Sequence, residues 1–234
     1  MTSGKMDVAA SDGSGVFGGY LALPAKTPAP AVVVLQEIFG VNANVRAVCD
    51  RLAANGFVAC APDLFWRLEP GLSLSSEDPD ERAKGFALFP KFDVAKGIED
   101  IAAAVAAIRL HPAVTGKVGA VGYCLGGLLA YLTAAHTDAD AAVGYYGVGI
   151  QGKLEAAGGI RKPLMLHIAQ GDEFVPPDAQ RTLVAGLGVH PKVTLHSYPG
   201  VGHAFARING DHYDEASATL ADARTLAFLC GALK

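Results

Sequence analysis

The segment Val118-Gly-Ala-Val-Gly-Tyr-Cys-Leu-Gly-Gly127 admits very few folds. An apolar, β-branched run ends at Cys124, and two glycines then open a stretch rich in Leu and Ala, Leu125 to Ala135. Strand, single nucleophile and helix are compressed into one turn. The central residue of such a turn takes a strained backbone conformation, so Gly122 and Gly126 on either side must be nearly atomless. A thiol placed there points out from the C-terminal end of the strand. The helix that follows aims its N–H groups and positive dipole end at it, which favours thiolate over thiol. Taken alone, the segment could also be a structural cysteine in a glycine-rich turn.

The partners that a nucleophile needs follow in order. Pro163-Leu-Met-Leu-His-Ile-Ala169 reads as a buried strand running into Gln170-Gly-Asp-Glu, which puts Asp172 at its C-terminal end. Val193-Thr-Leu-His-Ser-Tyr198 is another strand, followed by Pro199-Gly-Val-Gly-His203. Nucleophile, acid and histidine, each just past a strand, is the chain order of α/β-hydrolases. Cys124 is then the nucleophile, His203 the general base and acid, and Asp172 the group that orients His203 and stabilises its charged form. The tetrahedral oxyanion needs two donors. The backbone N–H of Leu125 is one, and Ile38, in the first strand-to-helix loop, occupies the place of the other. A histidine among glycines can also be a hydrogen-bonded structural group; only its place in the order singles out His203 among seven.

The rest of the chain alternates strand and helix. Strands are expected at Val16–Leu23, Ala31–Leu35, Phe57–Ala61 and Ala141–Tyr146, and helices from Val45 to Asn55, Asp80 to Phe89, Val94 to Ile108, Pro177 to Leu187 and Glu215 to Leu229. Ala31-Val-Val-Val-Leu35 is continuously apolar, as a strand covered on both faces requires. Leu64 to Pro79 is an irregular loop long enough to suggest function. The expectation is a single α/β domain over residues 1–234: an α/β-hydrolase fold, with a mainly parallel doubly wound sheet and helices on both faces.

Composition narrows the partners. With 51% hydrophobic and 18% charged residues and a formal charge of -4, the chain offers no basic patch for nucleic acid or an anionic membrane. Met1-Thr-Ser-Gly-Lys-Met-Asp-Val is too polar for a secretory signal, and no apolar run is long enough to span a bilayer. Four scattered cysteines without a C-x-x-C argue against a disulfide framework or a metal site. A cytoplasmic monomer with a free thiol and no cofactor is the expectation.

Beyond these elements, the chain resembles the dienelactone hydrolases (carboxymethylenebutenolidases) over nearly its whole length. The resemblance is carried by Gln36-Glu-Ile-Phe-Gly-Val-Asn42, Gly122-Tyr-Cys-Leu-Gly-Gly127, Val143-Gly-Tyr-Tyr-Gly147 and Gly202-His-Ala-Phe-Ala-Arg207. It implies a cysteine hydrolase that opens an unsaturated lactone bearing a carboxylate, giving maleylacetate through a thioester. It implies that Glu37 holds the resting thiol and then helps to deprotonate it, a position that would otherwise read equally well as a loop carboxylate. It also implies that Arg82 and Arg207 bind the substrate carboxylate, for which a planar guanidinium fork is suited. Phe86 and Phe89 stand where some relatives carry Tyr and Trp, which makes the pocket more apolar. Tyr145 either lines that pocket or packs in the core. Another small ester or lactone as substrate, or an inactive small-carboxylate binder, are the competing readings.

Overall fold

The computed structural model describes residues 2–234. Eight strands form one sheet in the order β1-β2-β4-β3-β5-β6-β7-β8. They are β1 (Thr2–Ala9), β2 (Val16–Leu23), β3 (Ala29–Leu35), β4 (Val58–Pro62), β5 (Val114–Tyr123), β6 (Ala141–Tyr145), β7 (Leu164–Ala169) and β8 (Val193–Tyr198). Strands β3 to β8 run parallel, while β2 lies antiparallel to both β1 and β4. The order doubles back at β3, so loops leaving the C-terminal ends of β3 and β5 diverge and open a crevice there.

Alternation along the strands decides which helix covers which face. Val33, Leu35, Val118 and Ala120 pack with Ile101 and Val105 of α3 (Val94–Arg109), Leu129 of α4 (Leu125–His136) and Leu183 of α5 (Pro177–Leu187). Val32, Val34, Val121 and Val143 turn the other way, onto Val48 and Leu52 of α1 (Ala43–Ala54) and Ala221 and Leu229 of α6 (Glu215–Leu233). Each such Val or Leu stabilises the fold by roughly 1.5–3 kcal/mol when fully buried. Among the described residues, no helix is long and apolar enough to cross a membrane.

One element differs from expectation. Thr2–Ala9 forms a strand although its sequence is polar: it pairs with β2 through backbone hydrogen bonds at the sheet edge, and Val8 is its one buried residue. The loop from Asp63 to Asp78 is irregular, as its mixed sequence suggests, but firmly tied. Asp63 accepts from the N–H groups of Phe65 and Gly71, and Asp100 of α3 accepts from Trp66 Nε1 and from both arms of Arg67. Its far end pairs back with the chain after β3, through Val41 N–H to Leu72 O and Leu74 N–H to Phe39 O. It leads into α2 (Pro79–Leu88), which Asp78 caps by accepting from Asp80 and Glu81 N–H.

The turn between β5 and α4 depends on its glycines. A Cβ on Gly122 would overlap the Gly126 carbonyl oxygen, and one on Gly126 would overlap the Leu35 carbonyl oxygen. Neither neighbour can yield, because both are backbone. Gly122→Ala should therefore cost well over about 1 kcal/mol of unfolding free energy. Gly18→Ala, whose Cβ would meet nothing within 4 Å, should stay within about 0.5 kcal/mol of the parent. Chemical denaturation of the two variants side by side is the measurement.

Candidate active site

Cys124 sits between β5 and α4 with φ 55° and ψ -114°, a conformation L-residues rarely adopt. It caps α4, its carbonyl accepting from the N–H groups of Gly127 and Leu128. Leu125 is the first residue of α4, so its own N–H has no partner within the helix. Helix α4 is buried over Leu125 to Ala134, which fixes the position of its N-terminus.

His203 and Asp172 come from the loops after β8 and β7. His203 Nδ1 lies 2.8 Å from Asp172 Oδ2, and both residues are buried. Since a carboxylate only accepts, Nδ1 carries the proton and Nε2 is left for the cleft, which His203 lines together with Cys124. The other Asp172 oxygen accepts the N–H of Phe174, which fixes the carboxylate. Burial opposes a charge on His203, but the bond to Asp172 and the neighbouring Cys124 outweigh it and push its pKa up to about 10.

Glu37 follows β3 and is 1% exposed. Arg207 forks onto it: Nε donates to Oε2 at 2.8 Å and the terminal nitrogen to Oε1 at 2.9 Å. The guanidinium also lies over the Phe39 ring, 5.3 Å from its centroid. Burial works against the Arg207 charge, yet Glu37 more than offsets it and raises the guanidinium pKa. The carboxylate that the sequence set beside the thiol is thus neutralised by the same arginine that the resemblance assigned to substrate.

Ile38, Phe39, Arg82, Phe86, Phe89, Phe174 and Arg207 line the cleft with Cys124 and His203. Phe86, Phe89 and Phe174 are 42%, 37% and 39% exposed, an apolar wall facing solvent. Arg82 stands over Phe86 at 6.0 Å. Tyr145, by contrast, is not at the cleft. It is fully buried, its hydroxyl bonded to Thr225 Oγ1 at 2.7 Å and Asp222 at 3.1 Å on α6, because its side chain falls on the opposite face of the sheet. The tyrosine at the site is its neighbour, Tyr146, whose ring meets His203 edge-on at 5.1 Å. Phe174, edge-on to His203 at 4.8 Å, and His212, which donates Nδ1–H to the His203 carbonyl at 3.0 Å, also escaped the sequence reading. For Phe174 a signal was present, two positions after the expected acid. For His212, nine residues past His203 in an irregular loop, there was none.

Among the described residues, no group of three or more His, Cys, Asp or Glu side chains is arranged to hold a metal ion. Sheet order, strained cysteine turn and His–Asp pair define an α/β-hydrolase. More narrowly, the chain belongs to the dienelactone hydrolase family, whose model matches residues 17–233. It is a hydrolase acting on ester or lactone bonds. The carboxymethylenebutenolidase of Pseudomonas putida is 42% identical over 213 residues, covering 91% of this chain and 90% of the relative. Carboxymethylenebutenolidase 1 of Cupriavidus pinatubonensis is 40% identical over 229 residues, 98% and 97% of the two chains. Among solved structures, a Klebsiella pneumoniae protein assigned to the dienelactone hydrolases superposes with a TM-score of 0.82 at 27% identity, covering 98% of this chain and 99% of its own.

The His203–Asp172 pair has a pH signature. A folded-state pKa near 10, against about 6.5 for a free imidazole, means that the charged form stabilises the fold. That contribution is complete below about pH 6.5 and is lost as pH rises through about 10. Asp172→Asn removes its main support. The gap in unfolding free energy between parent and variant should be widest near pH 6 and close between about pH 7 and 10. A gap that does not vary with pH in chemical denaturation would mean that Asp172 does not hold the imidazolium.

Proposed function

We propose that this chain opens an unsaturated lactone bearing a carboxylate, such as 4-carboxymethylenebut-2-en-4-olide, by covalent catalysis at Cys124. The observation that carries the reading is the buried Glu37–Arg207 pair, whose arginine lines the same cleft as a cysteine on a strained strand-to-helix turn. A hydrolase of neutral esters has no use for an arginine already committed to a carboxylate at this place. An enzyme that must sense a substrate carboxylate does. The names of the two relatives support the same substrate class.

The steps follow from the groups present. The substrate carboxylate approaches Arg82 and competes with Glu37 for the Arg207 fork. Glu37, losing its counter-charge inside the protein, becomes a base and takes the thiol proton of Cys124. The thiolate attacks the ring carbonyl, and the N–H groups of Leu125 and Ile38 receive the oxyanion. Collapse breaks the ring C–O bond and releases the enolate, to which His203, charged at neutral pH, supplies a proton. Neutral His203 then draws a proton from water, which attacks the thioester and frees Cys124. The exposed Phe86, Phe89 and Phe174 cover the apolar remainder of the lactone.

Two variants test this. Cys124→Ala should abolish turnover and stoichiometric iodoacetamide labelling together. Arg82→Ala should lower kcat/KM on a carboxylate-bearing lactone by about 10- to 150-fold, the equivalent of a lost charge-assisted hydrogen bond of about 1.5–3 kcal/mol. Its hydrolysis of p-nitrophenyl acetate, which brings no anion, should change little. Equal losses on both substrates would return the substrate to an unidentified ester. Arg82 is the more informative of the two arginines, because truncating Arg207 also strands Glu37.

A further inference from the structure

The hydroxyl of Tyr146 is buried, lies at the site, and has no hydrogen-bond partner. Strand register explains how it comes to be there. Tyr123 of β5 pairs with Tyr145 of β6, so the next residues along, Cys124 and Tyr146, leave the sheet side by side. Both break into positive φ, 55° and 38°. The ring of Tyr146 is held edge-on by His203 at 5.1 Å and by Phe205 at 5.5 Å, and its N–H donates to the His167 carbonyl at 2.8 Å. The side chain is therefore fixed on three sides while its polar end is unpaired. Gln36 Nε2, next in sequence to Glu37, is also unpaired, but that amide is anchored through Oε1, which accepts the Leu64 N–H.

We propose that Tyr146 is a positioning residue for Glu37: its hydroxyl is the donor that takes up the Glu37 carboxylate when Arg207 turns to the substrate. The inference rests on the reading of the site given above. Glu37 is 1% exposed, and both of its oxygens are satisfied by Arg207 alone. Once the guanidinium fork is shared with a second carboxylate, at least one oxygen of this buried Glu37 needs another donor. A phenol is well suited. Burial first, and then the charge of Glu37, raise the Tyr146 pKa well above its ordinary value, so the group stays neutral and keeps its proton to donate. One Glu37 oxygen is then held by Tyr146 while the other takes the proton from Cys124. The S–H bond breaks, an O–H bond forms on Glu37, and Tyr146 gains and loses nothing. An unpaired hydroxyl on a strained backbone, unfavourable in the resting enzyme, becomes a satisfied group during turnover.

Tyr146→Phe tests this, because it deletes one oxygen and keeps the ring contacts with His203 and Phe205. With a carboxylate-bearing lactone, kcat should fall about 10- to 100-fold while KM stays within about twofold. Hydrolysis of p-nitrophenyl acetate, which leaves the Glu37–Arg207 pair closed, should stay within about twofold, and the melting temperature should not drop. A hydroxyl that merely sits in the core predicts otherwise: removing an unpaired buried polar atom would leave kcat on the lactone unchanged. That result, equal losses on both substrates, or a loss confined to KM would each overturn the proposal. Cys124→Ala run alongside separates the two levels. Turnover surviving in that variant would remove the thiol mechanism itself, whatever Tyr146→Phe does.

Discussion

The site depends on how closely the start of α4 approaches the ends of two strands. Gly126 lies against the carbonyls of Leu35 and Gln36 at the end of β3, and Gly127 lies against the Tyr145 carbonyl at the end of β6. No side chain could be accommodated at either place. Because the helix begins in contact with both strands, whatever follows β3 and β6 is brought beside whatever precedes the helix. Glu37, Cys124 and Tyr146 are those residues. Their proximity is a consequence of three glycines, Gly122 included, rather than of any attraction among the groups themselves.

Two buried carboxylates are then handled differently. Asp172 is paired with a histidine, a group that can give its proton up and recover it within a catalytic cycle. Glu37 is paired with an arginine, which cannot change charge and offers a fork that fits any carboxylate. An incoming carboxylate therefore competes at Arg207 and leaves the His203–Asp172 pair alone. In the proposed reaction the Glu37–Arg207 pair answers to the substrate carboxylate and activates the thiol, while the His203–Asp172 pair handles the later protons; His203 and Arg207 line the same cleft.

Much of this was legible in the sequence, and the exceptions share a cause. Strands β3, β5, β6 and β7 announce themselves as apolar runs because both of their faces are covered; Cys124 and Asp172 are legible because each follows such a run, and His203 because it holds the third place in the chain order, after the half-buried β8. Strand β1 was not, since an edge strand held by backbone hydrogen bonds needs little apolar surface, and Thr2–Ala9 has only Val8 buried. The pairing of Glu37 with Arg207 joins residues 170 apart, which no local spacing reports. Nor does the pair Tyr145-Tyr146 declare which ring faces the cleft. Strand alternation sends Tyr145 to the α6 face, and the positive φ of Tyr146, a property of the folded backbone, turns the second ring toward His203.

Burial divides the cleft into a rigid part and an adjustable one. Cys124 caps α4, which is buried for ten consecutive residues, so its thiol inherits the stiffness of the core. Arg82 and Phe86 are carried by α2, in which Gly85 is the only buried residue and lies against Phe39 and the Ile38 carbonyl. With only Gly85 fully buried and Leu88 half-buried against the core, this helix has few apolar contacts to lose, and such elements lie at the low end of local stability. The loop before it, tied through Asp63, Arg67 and Asp100, limits how far that helix can move. The position of Cys124, by contrast, is set by backbone contacts at Gly122, Gly126 and Gly127 on the far side of the cleft.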